Sequence, residues 1–482
     1  MEQLDRPISI PPHPMGIKPL GNHFLAQDNA KNYAGLFQML PEELLASLLE
    51  HLDSSLLLLI GSTCKYLYAL SKSDDLWKSL FIELNQALIR CRSQISRAQS
   101  SWKWSNSWRS TYLGLNKDVE SNIFCDNVYS DFLYRPYLCA HTSLEHYTSD
   151  IPKENAITRH EYMSLSDFSN TWSKRPFILT HAVQEWPISK TWSVDSLLEN
   201  YRHIKFRAEA VDWYFSDYVT YMRNNRDESP LYLFDKKFVE KMKLQTGNGV
   251  KSSYWTPECF GEDFFTALGD KRPDYRWLII GPERSGSTFH MDPNATSAWN
   301  AVLRGSKYWI MFPPSTSYPT PPGVYVSSNL SEVTSPVSIA EWLLNFHALA
   351  RKTPGCIECV CKEGEIVHVP SGWWHLVVNL EPAIAITQNF VPGSQLAEAL
   401  HFLRDKSSQV SGFAKDVEHP YHLFIDQLQA KHPDRLRQTL QELATRDEGK
   451  KRKWKTATGT DDGKRVASFS FDFGDDSDLE IP

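Results

Sequence analysis

The chain has 482 residues, 41% of them hydrophobic and 23% charged, the composition of a globular protein with room for two or three domains. A formal net charge of -7 excludes wholesale coating of nucleic acid and leaves room only for local basic patches. No run approaches the roughly 18 apolar residues of a membrane span, residues 1–16 lack a signal-peptide core, and the eight cysteines show no framework spacing, so a reducing compartment, nucleus or cytoplasm, is expected.

Residues 1–33 are Pro-rich and polar and read as a flexible tail. From Leu36 the pattern changes. Leu40, Leu44, Leu48 and Leu52 recur at spacing four, with Leu45 and Leu49 beside them, which predicts a helix with Pro41 in its first turn. Leu56 to Ile60 follows the cap-like Asp53-Ser54-Ser55, and a third helical segment opens at Asp74-Asp75 with Leu76, Trp77, Leu80 and Phe81. Three short helices over 34–82 make a small core, of a kind often completed by a partner.

The connector, 83–150, is aromatic and basic around Trp102, Trp104 and Trp108. Such rings can stack nucleobases, but their spacing fits no stacking platform, so packing between domains is the expectation. Over 151–395 a helix is predicted from Ser193, a plausible N-cap, to Tyr201. Short β-type runs follow at 277–281, 297–303, 306–312, 365–369, 376–380 and 384–388, punctuated by Gly and Pro, as in an antiparallel sandwich or jelly roll. Residues 396–445 read as helical, and 446–482 as a disordered tail, first basic and then acidic. Its run Lys450–Lys455 fits a nuclear localisation signal, a nucleic-acid patch or a solvated charge run equally.

The chemistry centres on Thr288-Phe289-His290-Met291-Asp292 and on Gly372-Trp373-Trp374-His375. In an extended segment residues i and i+2 share a face, so His290 and Asp292 can aim at one point, and His375 can arrive from another strand. Two imidazoles and a carboxylate on one face of a metal leave three positions open, the facial triad of non-haem iron(II) oxygenases; zinc accepts the same donors. The open positions suit a chelating 2-oxo acid and dioxygen. A 2-oxo diacid also needs a cation and a hydroxyl at its far carboxylate. Lys307, read on the strand following the metal dipeptide, and Thr387, on the strand following His375, supply them; the alternative for Lys307 is an edge-strand lysine facing water. Cys356, Cys359 and Cys361 suggest zinc, but no suitably spaced fourth ligand follows, so core cysteines are expected.

Residues 281–314 and 368–391 resemble the JmjC domain. The likeness extends through Lys174-Arg175-Pro176-Phe177, Tyr221-Met222, Asp227 to Asp235 and Tyr275-Arg276-Trp277. Among JmjC proteins the chain is most similar to the bifunctional arginine demethylase and lysyl hydroxylase family. The resemblance implies an α+β fold, a double-stranded β-helix (cupin-like jelly roll) with flanking helices. It implies iron(II) held by His290, Asp292 and His375, with 2-oxoglutarate as co-substrate and O2 as oxidant. Lys307 and Thr387 would hold the distal carboxylate, with Asn300 and Tyr232 as further contacts. Ser287 stands where the family has threonine, keeping the hydroxyl. The implied activity is lysyl hydroxylase-like oxygenation of protein side chains, or N-methyl demethylation by the same chemistry. A histone or an RNA-associated protein is a candidate substrate, and the nucleus the expected location. Residues 36–81 resemble an F-box, by Leu40-Pro41, Cys64-Lys65-Tyr66-Leu67 and Asp75-Leu76-Trp77-Lys78; a plain three-helix unit is the alternative. An F-box implies docking to a Skp-family adaptor and a cullin ubiquitin ligase, with the JmjC domain as client binder in the adaptor-only reading.

Overall fold

The computed structural model describes residues 10–90, 103–115, 122–247, 249–315, 320–327 and 332–458. Two compact units are present, divided between Phe424 and Ile425. The first opens with four helices, α1 (Glu42–Glu50), α2 (Ser54–Gly61), α3 (Lys65–Ser71) and α4 (Asp74–Arg90). Asp53 caps α2 as expected, while Pro41, expected in the first turn of α1, lies just outside it. Pro41 precedes α1 in extended backbone, and the Asp53 side chain accepts from Leu56 N at 2.9 Å, satisfying one of the unpaired amides of the first turn. α3 lies between the expected helices, and α4 continues past residue 82, where the helical unit was expected to end.

The expected tail is in part folded. Residues 20–39 form three short 3-10 segments, Lys18 bridges Tyr129, and Ile17, Ala30 and Ala34 are buried. The connector also folds, into α5 (Trp108–Leu113) and α6 (Asp131–His141). Trp104 and Trp108 are buried, so they pack and present no face for a nucleobase; Trp102 lies outside the described residues.

Among the described residues fifteen strands follow: β1 (Thr158–His160), β2 (Phe177–Leu179), β3 (Lys205–Ala208), β4 (Val211–Tyr214), β5 (Leu233–Asp235), β6 (Arg276–Gly281), β7 (Gly286–His290), β8 (Ser297–Arg304), β9 (Ser306–Phe312), β10 (Tyr325–Val326), β11 (Val333–Thr334), β12 (Ile357–Lys362), β13 (Ile366–Val369), β14 (Trp374–Asn379) and β15 (Ala383–Phe390). A long sheet runs β1-β2-β13-β8-β15-β6-β5-β3-β4 and a short one β12-β9-β14-β7; β10 and β11 pair apart. Pairing is antiparallel except between β1 and β2. The two sheets are those of a cupin-like jelly roll, as expected. Ser193 caps the helix Val194–Tyr201 through a reciprocal bond with Ser196.

Period-two burial divides the core into three layers. Trp309, Met311, Cys359, Cys361, Val367 and Val369 meet between the sheets. Tyr308, Ile310 and Phe312 turn outward from β9 to pack with Trp342 of the helix Ile339–Lys352. On the other side Trp299, Ala301 and Leu303 belong to a cluster that continues into Trp213, Trp108, Phe81 and Leu45. The helical N-terminal module and the jelly roll therefore share one apolar core.

Asp227 joins them by hydrogen bonds as well. Its carboxylate accepts from Trp108 Nε1 at 2.9 Å and Tyr221 Oη at 2.7 Å, with Lys78 Nζ of α4 at 3.5 Å. Removing one member of such a buried group strands the others. Asp227→Ala is expected to lower unfolding free energy by about 3 kcal/mol in a urea titration. The helical module and the jelly roll should still unfold in one transition; two separated transitions would contradict the shared core.

The second unit holds the end of the helix Pro420–Lys431 and the helix Pro433–Thr458. That helix runs past residue 446, where disorder was expected, and carries the Lys450–Lys455 run. Residues 459–482 lie outside the described residues.

Candidate metal centre and co-substrate pocket

The three candidate ligands come together on the inner face of the short sheet. His290 ends β7, and His375 stands directly opposite it on β14. Their ring centroids are 4.2 Å apart. Asp292 follows in extended backbone, so it shares His290's side. One donor atom from each of the three lies within 4.8 Å of the others.

A β-bulge delivers His290. Val377 pairs with Ser287 while His375 pairs with His290, so three steps on β7 face two on β14. An unbroken ladder would put Phe289 opposite His375. The extra residue turns Phe289 out against Trp342, at 4.9 Å, and His290 in. Gly286 lets the strands approach this closely, since a Cβ there would lie 2.0 Å from the Val377 carbonyl oxygen.

Hydrogen bonding prepares all three groups for a cation. His290 Nδ1 donates to Thr288 O at 2.8 Å and His375 Nδ1 to Trp373 O at 3.1 Å. A carbonyl can only accept, so each Nδ1 carries the proton and each Nε2 lone pair is free for a metal. Asp292 Oδ1 accepts from Asn389 Nδ2 at 3.2 Å, while its buried Oδ2 has no partner. An orphaned buried carboxylate oxygen between two free imidazole nitrogens fits a divalent cation. Burial raises the Asp292 carboxyl above its ordinary range, against the pull of His290. It holds His375 well below the usual imidazole range, with His290 acting in the same direction.

Deeper between the sheets lies Lys307, 3% exposed. It is on the second strand after the metal dipeptide, β9, with β8 intervening. β9 runs between β12 and β14, so the edge-strand alternative fails. Nζ donates to the neutral Asn379 Oδ1 at 2.7 Å; among the described residues no carboxylate lies within ion-pair distance of it. Desolvation pulls its ammonium down to about 8. Thr387 and Asn300 face each other across β15 and β8. Thr387 Oγ1 donates to Trp299 O at 3.0 Å, and Asn300 Oδ1 is buried without a partner. Tyr232 and Ser287 are joined through their hydroxyls, and burial pushes the Tyr232 phenol up to about 12. A buried cation with no ion-pair partner fits a bound carboxylate.

Asn379 and Asn389 belong to this site and were not foreseen. Asn379 holds Lys307 and donates to Ser285 Oγ at 2.9 Å; Asn389 orients Asp292 and bonds Thr296 Oγ1 at 2.9 Å. Each is an even step from a foreseen residue on its own strand, so period-two alternation could have found both. Cys356, Cys359 and Cys361 are buried, and burial raises their thiols. They form no metal cluster among the described residues.

Known proteins with this pattern agree with the geometry. The cupin-like domain profile matches residues 169–395 and the F-box-like profile residues 37–83. A protein from Arabidopsis thaliana named arginine-specific demethylase JMJ22 is 37% identical over 97% of this chain and 90% of its own length. The Caenorhabditis elegans bifunctional arginine demethylase and lysyl-hydroxylase psr-1 is 33% identical over 54% of this chain and 64% of its own. The Danio rerio 2-oxoglutarate and iron-dependent oxygenase JMJD4 is 31% identical over 41% of this chain and 46% of its own.

Proposed function

The chain belongs to the JmjC family of iron- and 2-oxoglutarate-dependent oxygenases, and on that premise we propose that it oxygenates a protein side chain at the centre built by His290, Asp292 and His375. The observation that carries the reading is the buried Lys307 ammonium without a carboxylate partner, on the same face of the short sheet as His375. An anion is the missing partner, and 2-oxoglutarate supplies one.

Iron(II) held by the triad would supply the redox chemistry that couples decarboxylation of 2-oxoglutarate to activation of dioxygen. The protein's own groups prepare for it. The Thr288 and Trp373 carbonyls fix both imidazole tautomers. Asn389 holds one Asp292 oxygen and leaves the other free. Lys307 and Thr387 take the distal carboxylate, with Asn300, Tyr232 and Ser287 around the rest. Buried Trp309 and Met311 exclude water. The uncovered end of the long sheet, β3 to β6, floors a groove of about 720 Å³ lined by Tyr232, Phe234 and Trp277 and by side chains of both charges, such as Arg207 and Asp212. A mixed-charge groove beside the site suits a polypeptide substrate.

Oxygen placed on a carbon chain gives a stable alcohol. On an N-methyl carbon the hydroxylated product collapses and releases formaldehyde. The demethylase reading draws support from the likeness to JMJ22 along nearly the whole chain. Peptides carrying lysine, arginine or methylated arginine, incubated with iron(II) and 2-oxoglutarate, are expected to gain an oxygen or lose a methyl group by mass spectrometry, and Asp292→Ala should do neither. Succinate formation no greater than that of Asp292→Ala with every peptide would sink the enzyme reading and favour a client-binding adaptor. A nuclear location is part of the proposal, supported by the Lys450–Lys455 run.

The F-box reading has its own observation. Leu44 and Leu48 on α1 are 60% and 39% exposed, and Leu56 and Leu59 on α2 are 46% and 64% exposed. Apolar pairs at helical spacing, left outside the core, suit docking to a Skp-family adaptor. Changing Leu44 and Leu48 to Glu should abolish adaptor recovery in a pull-down and leave peptide oxygenation intact; equal recovery would remove the docking claim.

A further inference from the structure

Asp292 opens a loop in an uncommon conformation. The two residues after Pro293, Asn294 and Ala295, have φ of 57° and 52°, the left-handed region that a Cβ disfavours and asparagine tolerates best. Such backbone persists only where its surroundings over-determine it. Here they do. Asn294 is buried. Its Nδ2 donates to Ser411 O at 2.9 Å, and its Oδ1 accepts from Ser411 N at 3.1 Å. The side chain thus pairs with residue 411 as a peptide group would. Ser371 Oγ donates to Ala295 O at 2.8 Å. The next residue, Gly412, accepts from Asp274 N at 3.0 Å. Residues 411–412 therefore tie the loop behind the candidate ligand to the segment leading into β6, and they lie beyond the end of the cupin-like match at 395.

We propose that Asn294 is a positioning residue for Asp292, and that Ser411–Gly412 is the strap that locks it. The left-handed turn sets the direction in which the chain leaves Asp292, and so where its free oxygen points relative to His290 and His375. Without the two bonds to Ser411 the loop relaxes toward ordinary backbone and the carboxylate loses its aim. The proposal rests on the metal reading above.

The test uses the full chain, with cobalt(II) alone as the probe, titrated calorimetrically without 2-oxoglutarate. Asn294→Gly keeps the left-handed freedom and loses both bonds. Asn294→Ala loses both and disfavours the turn. Asn294→Asp keeps the acceptor for Ser411 N. The Gly and Ala variants are expected to weaken cobalt binding by about 10- to 100-fold, the range for groups that orient metal ligands, with partial recovery in the Asp variant. KM for iron should rise while kcat at saturating iron stays within a few-fold. A lowered melting temperature with unchanged cobalt affinity would make Asn294 merely structural and overturn the proposal. Cobalt that binds the unaltered protein and not Asp292→Ala, yet binds all Asn294 variants normally, overturns this inference alone. Cobalt that binds neither the unaltered protein nor Asp292→Ala overturns the metal centre and this inference with it.

Discussion

Asp292→Ala is expected to lower 2-oxoglutarate turnover by on the order of a thousandfold or more, since loss of a ligand forfeits several kcal/mol of metal-assisted stabilisation. It should do so without weakening the fold. Burial raises the Asp292 carboxyl above its ordinary value of 3.8. A carboxyl raised in the folded state binds its proton more tightly there than in the unfolded chain. It therefore costs stability at every pH above 3.8, increasingly until the raised value is passed. Alanine removes that cost. The metal-free variant should melt at the same temperature as the parent or higher at neutral pH, while cobalt and iron no longer protect it. Activity lost together with several degrees of melting temperature in metal-free buffer would instead mark Asp292 as structural.

Much of this centre was legible because β-structure has a period of two. His290 and Asp292 sit two apart, and the β-type runs around Lys307 and Thr387 fell within or beside the observed strands β9 and β15. What stayed hidden depended on tertiary pairing. The bulge opposite His375 leaves no mark in a single strand, yet it decides that His290 and not Phe289 faces inward. Residues 20–39 form short 3-10 turns with no apolar repeat, and what orders this N-terminal stretch is distant, such as Tyr129 for Lys18 and Asn127 for Ala30. α3 was missed because it is short and five of its seven residues are buried, which leaves no clear amphipathic face. The aromatic connector was expected to pack between domains and does, but its partners were not legible. Its Trp108 stacks parallel to Trp213 at 6.0 Å and donates to Asp227, which joins the F-box-like helices to the domain that carries the metal site. No local pattern announces a contact between residues so far apart in the chain.

Lys307→Ala is expected to weaken 2-oxoglutarate binding by about 3–5 kcal/mol, because the co-substrate's distal carboxylate would be buried with no charge opposite it. At 1.36 kcal/mol per tenfold this is on the order of a hundred- to several thousandfold. The unaltered enzyme should show the same dependence through pH. Burial holds the free Lys307 ammonium at about 8, down from 10.5. Below pH 8 the group is charged and ready, so affinity is flat. Above pH 8 the free protein carries a neutral amine, and binding must first take up a proton. The dissociation constant then rises, approaching tenfold per pH unit. Stability of the unliganded protein moves the other way. Between 8 and 10.5 the unfolded chain holds the Lys307 proton and the folded chain does not, so this residue's contribution to stability increases with pH across that window. Calorimetry in buffers of different ionisation enthalpy should therefore detect proton uptake on 2-oxoglutarate binding at pH 9 and little at pH 7. Lys307→Ala should bind weakly at both, with no uptake from this position. Binding by the unaltered enzyme that stays equally tight from pH 7 to 9, with no proton exchanged, would mean that Lys307 is not the group that meets the carboxylate.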